Sequence, residues 1–567
     1  MTHSELQGLI SVLQLPCIKL SREEEERKFN FHLIGKKLLW DISIYFPDRF
    51  PYSLPKAVLR NTDLIGVLPH VNQSGVICLE ESDSLFTDYS RPNEVLALYI
   101  EDIVKLLDRI SLKIYQDELL DELEGYFAPV KKVYSFYHPS KSTETLYMRV
   151  SQPEKIKGRK YSSPIMISHK NESLPLRFSN IESLDKCRRE KIMHLPLDGA
   201  KLPPASGKDF NVKYFISLLE LVSKKNWQRA LRLAKKYRPY NTFYIFLTMP
   251  RTSGERTQFL LKFTSSHHCE HPLLSTSIDW ELELYSILRN SKEYLIERGG
   301  GDQSFSEKKV AIIGCGSVGS QISNMLGKAG VGELTLIDFD SLSPDNIYRH
   351  HLGGGELNYK PDEKSGIVSS FSKVSALKLR IEQSLPYIKV NSIPKKFNEV
   401  VSFNNVKNCD VVIVAVGSPS VNLELNNLLK RHNYKYAVFC WSEAAGIGGH
   451  AIAVDLHCSC YECLYTKDKQ LNAQSDLSLL KVGQPISKNL TGCAGVFTPF
   501  SFIDSNRTAE LAATLALYIL KNNRASIAES WKGDNSADLT VTDKYKKMPL
   551  KERIFLTRNS ECRVCNV

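Results

Sequence analysis

Four cysteines near the C-terminal end of the sequence are spaced as metal ligands. Cys460 and Cys463 form one C-x-x-C pair, and Cys562 and Cys565 form a second. Two such pairs offer four thiolates, the ligand set of a tetrahedral structural zinc ion. We therefore expect zinc to tie the C-terminal tail to the core, with a stabilising and not a catalytic role. Free thiols are the alternative interpretation.

Other possible ligands lack a regular spacing. Cys458 lies beside the first pair and has no assigned role. The run His267-His-Cys269-Glu-His271 contains ligand types, but we interpret these residues as part of an ordinary loop.

A glycine-rich turn forms a second candidate site. Gly314, Gly316 and Gly319 follow an apolar run and precede a helical pattern. Glycines at this spacing permit a tight turn and a close approach of backbone amides to phosphates. Asp338 and Asp340 stand at the end of the next apolar run, where a carboxylate can bind a ribose. This pattern by itself leaves NAD and ATP open.

The residues that follow favour ATP. The run from Asp338 through Asp340 to Asn346 and Arg349 resembles the D-x-D…S-N-L-x-R pattern of ubiquitin-activating enzymes and ThiF/MoeB sulfur-carrier activators. The resemblance implies that Asp338 holds the ribose of ATP, while Asn346, Arg349 and Lys373 surround the triphosphate. The cations among them, Arg349 and Lys373, suit attack of a carboxylate on the α-phosphate, because negative charge develops there. The same family commonly carries the two C-x-x-C pairs.

One position departs from the family pattern. The family usually has a magnesium-binding aspartate where this chain has Gly417. Either Asp340 binds the Mg²⁺ ion, or the nucleotide itself mainly holds it. In the family an arginine of the partner subunit also reaches the γ-phosphate, and Arg289 is the candidate here.

Cys493 is the first of two candidate nucleophiles. It precedes the run Ala494-Gly-Val-Phe-Thr-Pro499, and ThiF-like proteins place a thiol before a similar run. The resemblance implies that this thiolate attacks the adenylate and forms a thioester. The alternative is a small buried apolar residue near a helix start.

Cys78 is the second candidate nucleophile. The run from Tyr45 to Leu59 and the run His70-Val-Asn72-Gln-Ser-Gly-Val-Ile-Cys78 resemble, in order, two motifs of ubiquitin-conjugating enzymes. The resemblance implies that Cys78 carries a thioester and that the Asn72 amide stabilises the oxyanion formed when an amine attacks. We expect His70 to be structural. Val71 replaces the proline of the motif, which alters the expected loop geometry.

Three segments must position these side chains. Residues 1–140 show strand patterns followed by a helical pattern, which indicates an α+β ubiquitin-conjugating-like domain. Residues 141–280 begin with a polar stretch typical of a linker and continue with a basic helix over 212–236. Residues 281–567 alternate strands and helices, which predicts a doubly wound, Rossmann-like α/β adenylation domain with a parallel sheet.

Composition limits the function classes. Of the 567 residues, 42% are hydrophobic and 24% charged, as in a globular protein. We see neither a membrane-spanning run nor a signal peptide and expect a cytoplasmic protein without membrane contact. The net charge is +11, and the 25 Lys/Arg against 12 Asp/Glu between Lys141 and Trp280 account for it. The basic helix is either a solvated face or a docking site for an acidic partner, and nucleic acid is the less favoured partner.

Together these sites predict a relay. An activating and a conjugating module in one chain would adenylate a protein C-terminus, pass it to Cys493, then to Cys78, and finally to an amine. This order of modules resembles the conjugating proteins of bacterial CBASS antiphage operons. The resemblance implies as substrate the C-terminal glycine of a cGAS-like nucleotidyltransferase (CD-NTase), as acceptors the lysines of target proteins, and as assembly a homodimer.

Three alternatives stay open at this point. The conjugated protein could be a ubiquitin-like modifier. The chain could activate a sulfur carrier, although this leaves the Cys78 motif unexplained. It could also be a binding scaffold whose nucleotide site is inactive because of Gly417.

Overall fold

The computed structural model describes residues 3–11, 18–25, 27–35, 39–60, 70–72, 74–79, 88–112, 116–127, 131–150, 155–156, 159–160, 165–170, 188–203, 210–275, 279–357, 359–361, 368–467, 473–490 and 496–566. By their contacts these residues fall into two compact units, one ending at Ser291 and the other continuing from Lys292.

The first unit begins with an α+β module. Its antiparallel sheet has the order β1-β2-β3-β4, and the long helix α2 packs on it. Alternate residues of β2 and β3, such as Phe29, Phe31 and Ile42, are buried against α2, as the period-2 pattern predicts. The strands and helices of this module are β1 Ile18–Glu25, β2 Lys28–Ile34, β3 Leu39–Tyr45, β4 Lys56–Leu59, α1 His3–Ser11, α2 Pro92–Ser111, α3 Gln116–Asp121 and α4 Leu123–Phe127.

A closed barrel completes the first unit. Its strand order is β10-β11-β12-β13-β5-β9-β6, and a further pair, β7 and β8, forms a two-residue ladder. The elements are β5 Lys132–Ser135, β6 Glu144–Val150, β7 Lys155–Ile156, β8 Arg159–Lys160, β9 Ile165–Ser168, β10 Arg188–Pro196, β11 Tyr240–Pro250, β12 Arg256–Cys269, β13 Glu281–Arg289, α5 Val212–Leu218 and α6 Lys224–Ala234.

The barrel corrects two expectations. Strand β6 lies in the polar stretch that we interpreted as a linker, and β5 and β13 extend the barrel beyond residues 141–280 at both ends. The single helix predicted over 212–236 is divided into α5 and α6. The division arises because Val222 and Ser223 have extended backbone conformations after a 3₁₀ turn.

The second unit is a doubly wound sheet with the order β18-β15-β14-β19-β20-β21-β26-β27. Its strands are β14 Lys309–Ile313, β15 Glu333–Ile337, β16 Tyr359–Pro361, β17 Val368–Ser370, β18 Lys389–Ile393, β19 Val411–Val414, β20 Tyr436–Ser442, β21 Gly448–Asp455, β22 Tyr465–Lys467, β23 Ala473–Ser475, β24 Lys488–Asn489, β25 Val496–Phe497, β26 Ile527–Lys532 and β27 Lys551–Phe555. Its helices are α7 Lys292–Arg298, α8 Gly319–Ala329, α9 Lys373–Ser384, α10 Phe397–Val400, α11 Asn404–Lys407, α12 Pro419–Arg431, α13 Phe502–Asn522 and α14 Asp543–Lys547.

The two faces of this sheet have separate cores. Helices α8, α9 and α13 cover one face, and α10, α11, α12 and the cysteine pairs cover the other. The five strands from β18 to β20 are parallel, as predicted, and the remaining three are antiparallel. The reversal follows β20, where Ala445 and Gly446 have positive φ angles of 56° and 70° and turn the chain back on itself.

Candidate nucleotide, thiol and metal sites

The glycine turn joins β14 to α8 and has little room for side chains. Gly314 has a φ of +83°, a conformation that favours glycine, and a Cβ there would lie 3.0 Å from the Ala415 carbonyl oxygen. A Cβ on Gly319 would lie 1.9 Å from the Gly314 carbonyl oxygen. Around Gly316, by contrast, a Cβ would meet no atom within 4 Å. Gly314 and Gly319 therefore allow close backbone packing, whereas Gly316 leaves free space beside the turn.

Asp338 fixes the glycine turn from the end of β15. One carboxylate oxygen accepts the Cys315 N–H at 2.8 Å, and the other accepts the Asp340 N–H at 2.9 Å. A carboxylate oxygen has a second lone pair, so these bonds leave acceptor capacity for a ribose hydroxyl. Asp338 thus stabilises the glycine turn and the turn that follows β15, in addition to its predicted role of binding the ribose.

A cavity of about 520 Å³ lies beside this turn. It brings together five predicted residues, namely Gly314, Gly316, Asp338, Asp340 and Lys373. Its volume is in the range of small-molecule sites. Lys373 is buried at the start of α9, and its Nζ lies 3.0 Å from Asp340 Oδ2. The cavity therefore contains a buried cation that is already paired with a carboxylate.

The sequence analysis missed three charged residues that line this cavity. Lys395 and Lys396 follow β18, and the Lys396 Nζ lies 5.4 Å from the centre of the Phe339 ring. Glu424 of α12 adds a further carboxylate to the lining. The predicted parallel sheet could have indicated the two lysines, because they follow a strand and the carboxyl ends of neighbouring parallel strands meet at one edge of the sheet.

Asn346 and Arg349 line a different cavity, of about 1150 Å³. The Arg349 guanidinium lies 4.7 Å from the ring centre of Phe500 and 5.9 Å from that of Phe497. The Asn346 side chain accepts the Ser343 N–H at 3.3 Å. The structure therefore does not bring these two residues to the cavity of the glycine turn, although the sequence analysis grouped them with Lys373.

His350 connects this segment to the glycine turn. Its Nδ1 accepts the Leu352 N–H at 3.0 Å, so its Nε2 carries the proton and donates to the Cys315 carbonyl at 2.7 Å. Burial lowers the pKa of His350 to about 4, which agrees with a neutral ring. The chain from Asn346 to Leu352 is thus fastened to the turn by an uncharged side chain.

Cys493 lies outside the described residues, which stop at Leu490 and resume at Val496. Both of these flanking residues line the Arg349 cavity. The described ends of the segment therefore border this cavity.

Gly417 has a φ of +78°, so most side chains would be strained at this position. Among the described residues that line the glycine-turn cavity, Asp338, Asp340 and Glu424 carry carboxylates. Asp340 is half exposed and is paired with Lys373. Whether Asp340 replaces the family's magnesium ligand stays a prediction.

The four predicted cysteines form a compact cluster that fits zinc. The Sγ atoms of Cys460 and Cys463 are 4.0 Å apart, and each lies close to one sulfur of the second pair, at 3.6 Å from Cys562 and 3.7 Å from Cys565. Four sulfurs placed about 2.3 Å from a tetrahedral zinc ion are about 3.8 Å apart. All four side chains are buried, and Cys458 is not part of this cluster.

The His267–His271 run lies at the end of β12 and just beyond it, and the described residues there form no metal-ligand cluster. Burial lowers the pKa of His271 to about 3, so its ring is neutral.

Cys78 is exposed at the end of a short turn in the first module. Val71 and Ile77 form an antiparallel bridge and are buried, which places the flanking Asn72 and Cys78 on the outer side. The Asn72 side-chain oxygen accepts the N–H groups of Ser74 and Val76 at 2.9 and 3.0 Å. This fixes the amide of Asn72 in orientation, with its N–H₂ group directed away from the two backbone donors.

His70 is buried at the start of this turn, and its contacts agree with the structural role that we expected. Its Nδ1 lies 2.8 Å from Glu122 Oε1, and its carbonyl oxygen accepts the Cys78 N–H at 2.7 Å. Although burial raises the pKa of Glu122, the hydrogen bonds from His70 lower it overall.

Arg289 is placed in the barrel, at the end of β13. Its guanidinium donates to Glu124 at 2.6 Å and lies 3.6 Å from Glu255, and its side chain is 12% exposed. These pairs occupy the side chain within its own unit, and a contact of Arg289 with a γ-phosphate stays a prediction.

Among the described residues, the helices lack the combination of length and hydrophobicity that crossing a membrane requires.

Two protein families match separate parts of the chain. Prokaryotic E2 family B matches residues 18–136, and the ThiF family matches residues 291–527. These matches confirm the predicted order of a conjugating-enzyme fold followed by an adenylation fold.

The similar curated proteins are named as a ubiquitin transferase-like protein or as an adenylyltransferase. A protein of Pseudomonas aeruginosa named ATP-dependent ubiquitin transferase-like protein Cap2 is 28% identical over 41% of this chain and 40% of its own length. A protein of the same name from Escherichia coli is 22% identical over 88% of this chain and 86% of its own. The molybdopterin-synthase adenylyltransferase of Haemophilus influenzae is 29% identical over 39% of this chain and 80% of its own. The chain thus aligns with less than half of the first relative and with most of the second.

A solved structure, Escherichia coli MccB with ATP, is 18% identical to this chain, has a TM-score of 0.32, and covers 48% of this chain and 69% of its own. The two family matches confirm that the chain joins a conjugating-enzyme-type segment to a ThiF-type segment.

The glycines give a paired test of the turn. Gly319→Ala should destabilise the second unit by about 2 kcal/mol, because the new methyl group meets a backbone carbonyl. Gly316→Ala should leave thermal unfolding unchanged and weaken ATP binding, because its methyl group enters the cavity. Thermal unfolding and calorimetric ATP titration measure both effects. Equal melting temperatures for the two variants would contradict this division of roles.

The cysteine cluster is tested by metal content. Cys562→Ser should reduce bound zinc from about one ion per chain to near zero and lower the melting temperature by at least about 5 °C. The exposed Cys458→Ser is the matched control and should change neither value. Elemental analysis and thermal unfolding provide the readouts. Retention of zinc in Cys562→Ser would exclude the assignment.

Proposed function

We propose that this chain, which joins an N-terminal prokaryotic E2 segment to a C-terminal ThiF segment, activates a protein C-terminus with ATP and conjugates it to amines. The observation that carries the proposal is the presence in one chain of an exposed thiol on a conjugating-enzyme motif and of a nucleotide-type cavity with a buried lysine. Neither site alone accounts for the other.

The first step is adenylation. A carboxylate oxygen of the substrate attacks the α-phosphorus of ATP, the bond to the β-phosphate oxygen breaks, and pyrophosphate leaves. Lys373 and the neighbouring Lys395 and Lys396 offset the charge that develops on the phosphates. Asp338 binds the ribose, and the amides of the glycine turn approach the phosphates. Magnesium, held by Asp340 or by the nucleotide, would add a further positive charge.

Two thiol transfers follow. The Cys493 thiolate attacks the acyl-adenylate, which releases AMP and forms a thioester. The Cys78 thiolate attacks this thioester and frees Cys493, and a lysine amine then attacks the Cys78 thioester to give an amide. The Asn72 N–H₂ group, whose orientation is fixed by the two backbone donors to its oxygen, would stabilise the oxyanion of the last step. The Arg349 cavity, which both described ends of the Cys493 segment border, would receive the substrate tail.

The substrate that we propose is the C-terminal glycine of a CD-NTase, with target-protein lysines as acceptors and a homodimer as the working assembly, in bacterial antiphage defence. A pathway that uses ATP and reduced thiols fits the cytoplasm. The relatives named Cap2 support this substrate class more than a sulfur carrier, because the similarity to the E. coli protein extends over both segments. A ubiquitin-like modifier is the second candidate substrate.

The relay is tested with cysteine variants. The protein is mixed with ATP, magnesium and a CD-NTase and analysed on reducing and non-reducing gels. Cys493→Ala should keep ATP–pyrophosphate exchange and lose every thioester, whereas Cys78→Ala should trap the substrate on Cys493. Cys458→Ala is the control and should behave as the unmodified chain. Normal conjugation by Cys78→Ala would disprove the relay.

The nucleotide site is tested through the buried lysine. Lys373→Met should reduce ATP–pyrophosphate exchange about 100-fold, because it removes a cation from the developing phosphate charge. Lys378→Met, on the same helix but paired with Glu382 at the surface, is the matched control. Exchange that stays high in Lys373→Met would exclude the proposed role of this lysine. Exchange that is absent from the unmodified chain with every candidate protein would favour the binding scaffold.

A further inference from the structure

The two short helices α3 and α4 contact the Cys78 turn on one side and the barrel on the other. This connector, residues 116–127, lies after α2 in the chain and before the first barrel strand. Side-chain contacts hold the connector on both sides, and both sides lie within the first unit.

On the side of the turn, Glu122 holds His70 at two points. One carboxylate oxygen accepts the His70 backbone N–H at 2.8 Å, and the other lies 2.8 Å from the ring Nδ1. Glu118 lies on the same side, with Oε2 3.6 Å from the His70 Nε2, and pairs with Arg109 of α2. The two carboxylates therefore fix both the backbone and the ring of a buried histidine.

The fixed residue is the one that sets the position of Cys78. His70 has a φ of +58°, a left-handed conformation that needs support from its surroundings. Its carbonyl oxygen accepts the Cys78 N–H at 2.7 Å, beside the bridge between Val71 and Ile77. A change in the orientation of His70 thus moves the backbone that carries the thiol.

On the side of the barrel, the connector is anchored by polar and apolar contacts. Asp121 accepts the Thr252 N–H at 2.8 Å, and Glu124 accepts the Gln258 N–H at 2.7 Å. Arg289 donates to the same Glu124 from the end of β13. Leu119, Leu123 and Phe127 are buried in the barrel core.

We propose that the connector couples the barrel to the conjugating site, with Glu122 as the positioning residue that transmits barrel contacts through His70 to Cys78. The proposal rests on the role of Cys78 in the proposed function. It also gives Arg289 a place in this connection through its contact with Glu124.

The first test measures transfer to Cys78 in a single turnover. Glu122→Ala should slow transfer from Cys493 at saturating substrate at least about tenfold, with unchanged ATP–pyrophosphate exchange and unchanged formation of the first thioester. Glu122→Gln keeps one acceptor oxygen for His70 and should recover part of the rate. Glu94→Gln, which breaks an exposed pair with Arg91, is the control. Transfer at the normal rate in Glu122→Ala would overturn the proposal.

The second test approaches the connector from the barrel. Asp121→Ala should slow transfer to Cys78 and leave ATP–pyrophosphate exchange unchanged. Arg289→Met should also slow transfer to Cys78. Reduced exchange in Arg289→Met, with normal transfer, would return this arginine to the nucleotide site and contradict the coupling.

Hydrogen exchange separates this proposal from the proposed function. In the full chain without substrate, backbone amides of residues 70–79 should exchange about fivefold faster in Glu122→Ala, Arg289→Met and Asp121→Ala than in Glu94→Gln. If the unmodified chain forms no thioester on Cys78, the relay is wrong, but the hydrogen-exchange rates still test the coupling. Unchanged hydrogen exchange in all three variants would refute the coupling.

Discussion

The hydrogen bonds of Asp338 hold together the site on which the proposed adenylation depends. A single carboxylate at the end of β15 accepts one N–H from the glycine turn and one from the following turn. The first bond sets the turn between β14 and α8, and the second orients Asp340 toward Lys373. A charged acceptor makes both bonds stronger than neutral ones. The strand order matters for the same reason, because only neighbouring parallel strands bring these two turns to one edge of the sheet.

Local patterns predicted the parts of the structure that local residues determine. The glycine turn, the cysteine pairs and the strands β2 and β3 follow from spacing and alternation within short windows, and the structure contains each of them. The barrel depends instead on pairs far apart in the sequence, such as β5 with β13. No local pattern identifies such a partner, so the first strand of the barrel was assigned to another segment. The separation of Arg349 from Lys373 has a similar origin, because it depends on where Phe500 and Phe497 pack.

The first unit shows how polar contacts replace an apolar core where two folds meet. The connector buries three apolar residues in the barrel, but its contacts with the Cys78 turn are carboxylate hydrogen bonds to a buried histidine. Hydrogen bonds fix direction as well as distance, whereas apolar packing fixes mainly distance. A reactive thiol that must meet both a donor thioester and an amine benefits from that directional control. The exposed cations of α6 lie on the same barrel, and Asn226 fastens that helix to the residues before β6.

The charges of the glycine-turn cavity are balanced before any nucleotide enters. Lys373 is paired with Asp340, and the lining also contains the two cations Lys395 and Lys396 and the two carboxylates of Asp338 and Glu424. A triphosphate brings several negative charges, so in the proposed reaction it competes with Asp340 for the ammonium of Lys373. This exchange would leave Asp340 as an unpaired carboxylate beside the phosphates, and carboxylate oxygen is a ligand that magnesium prefers. The absence of an aspartate at Gly417 is then compatible with the proposed activity, because nucleotide entry would release a carboxylate at the end of β15, which β14 separates from the strand that precedes Gly417.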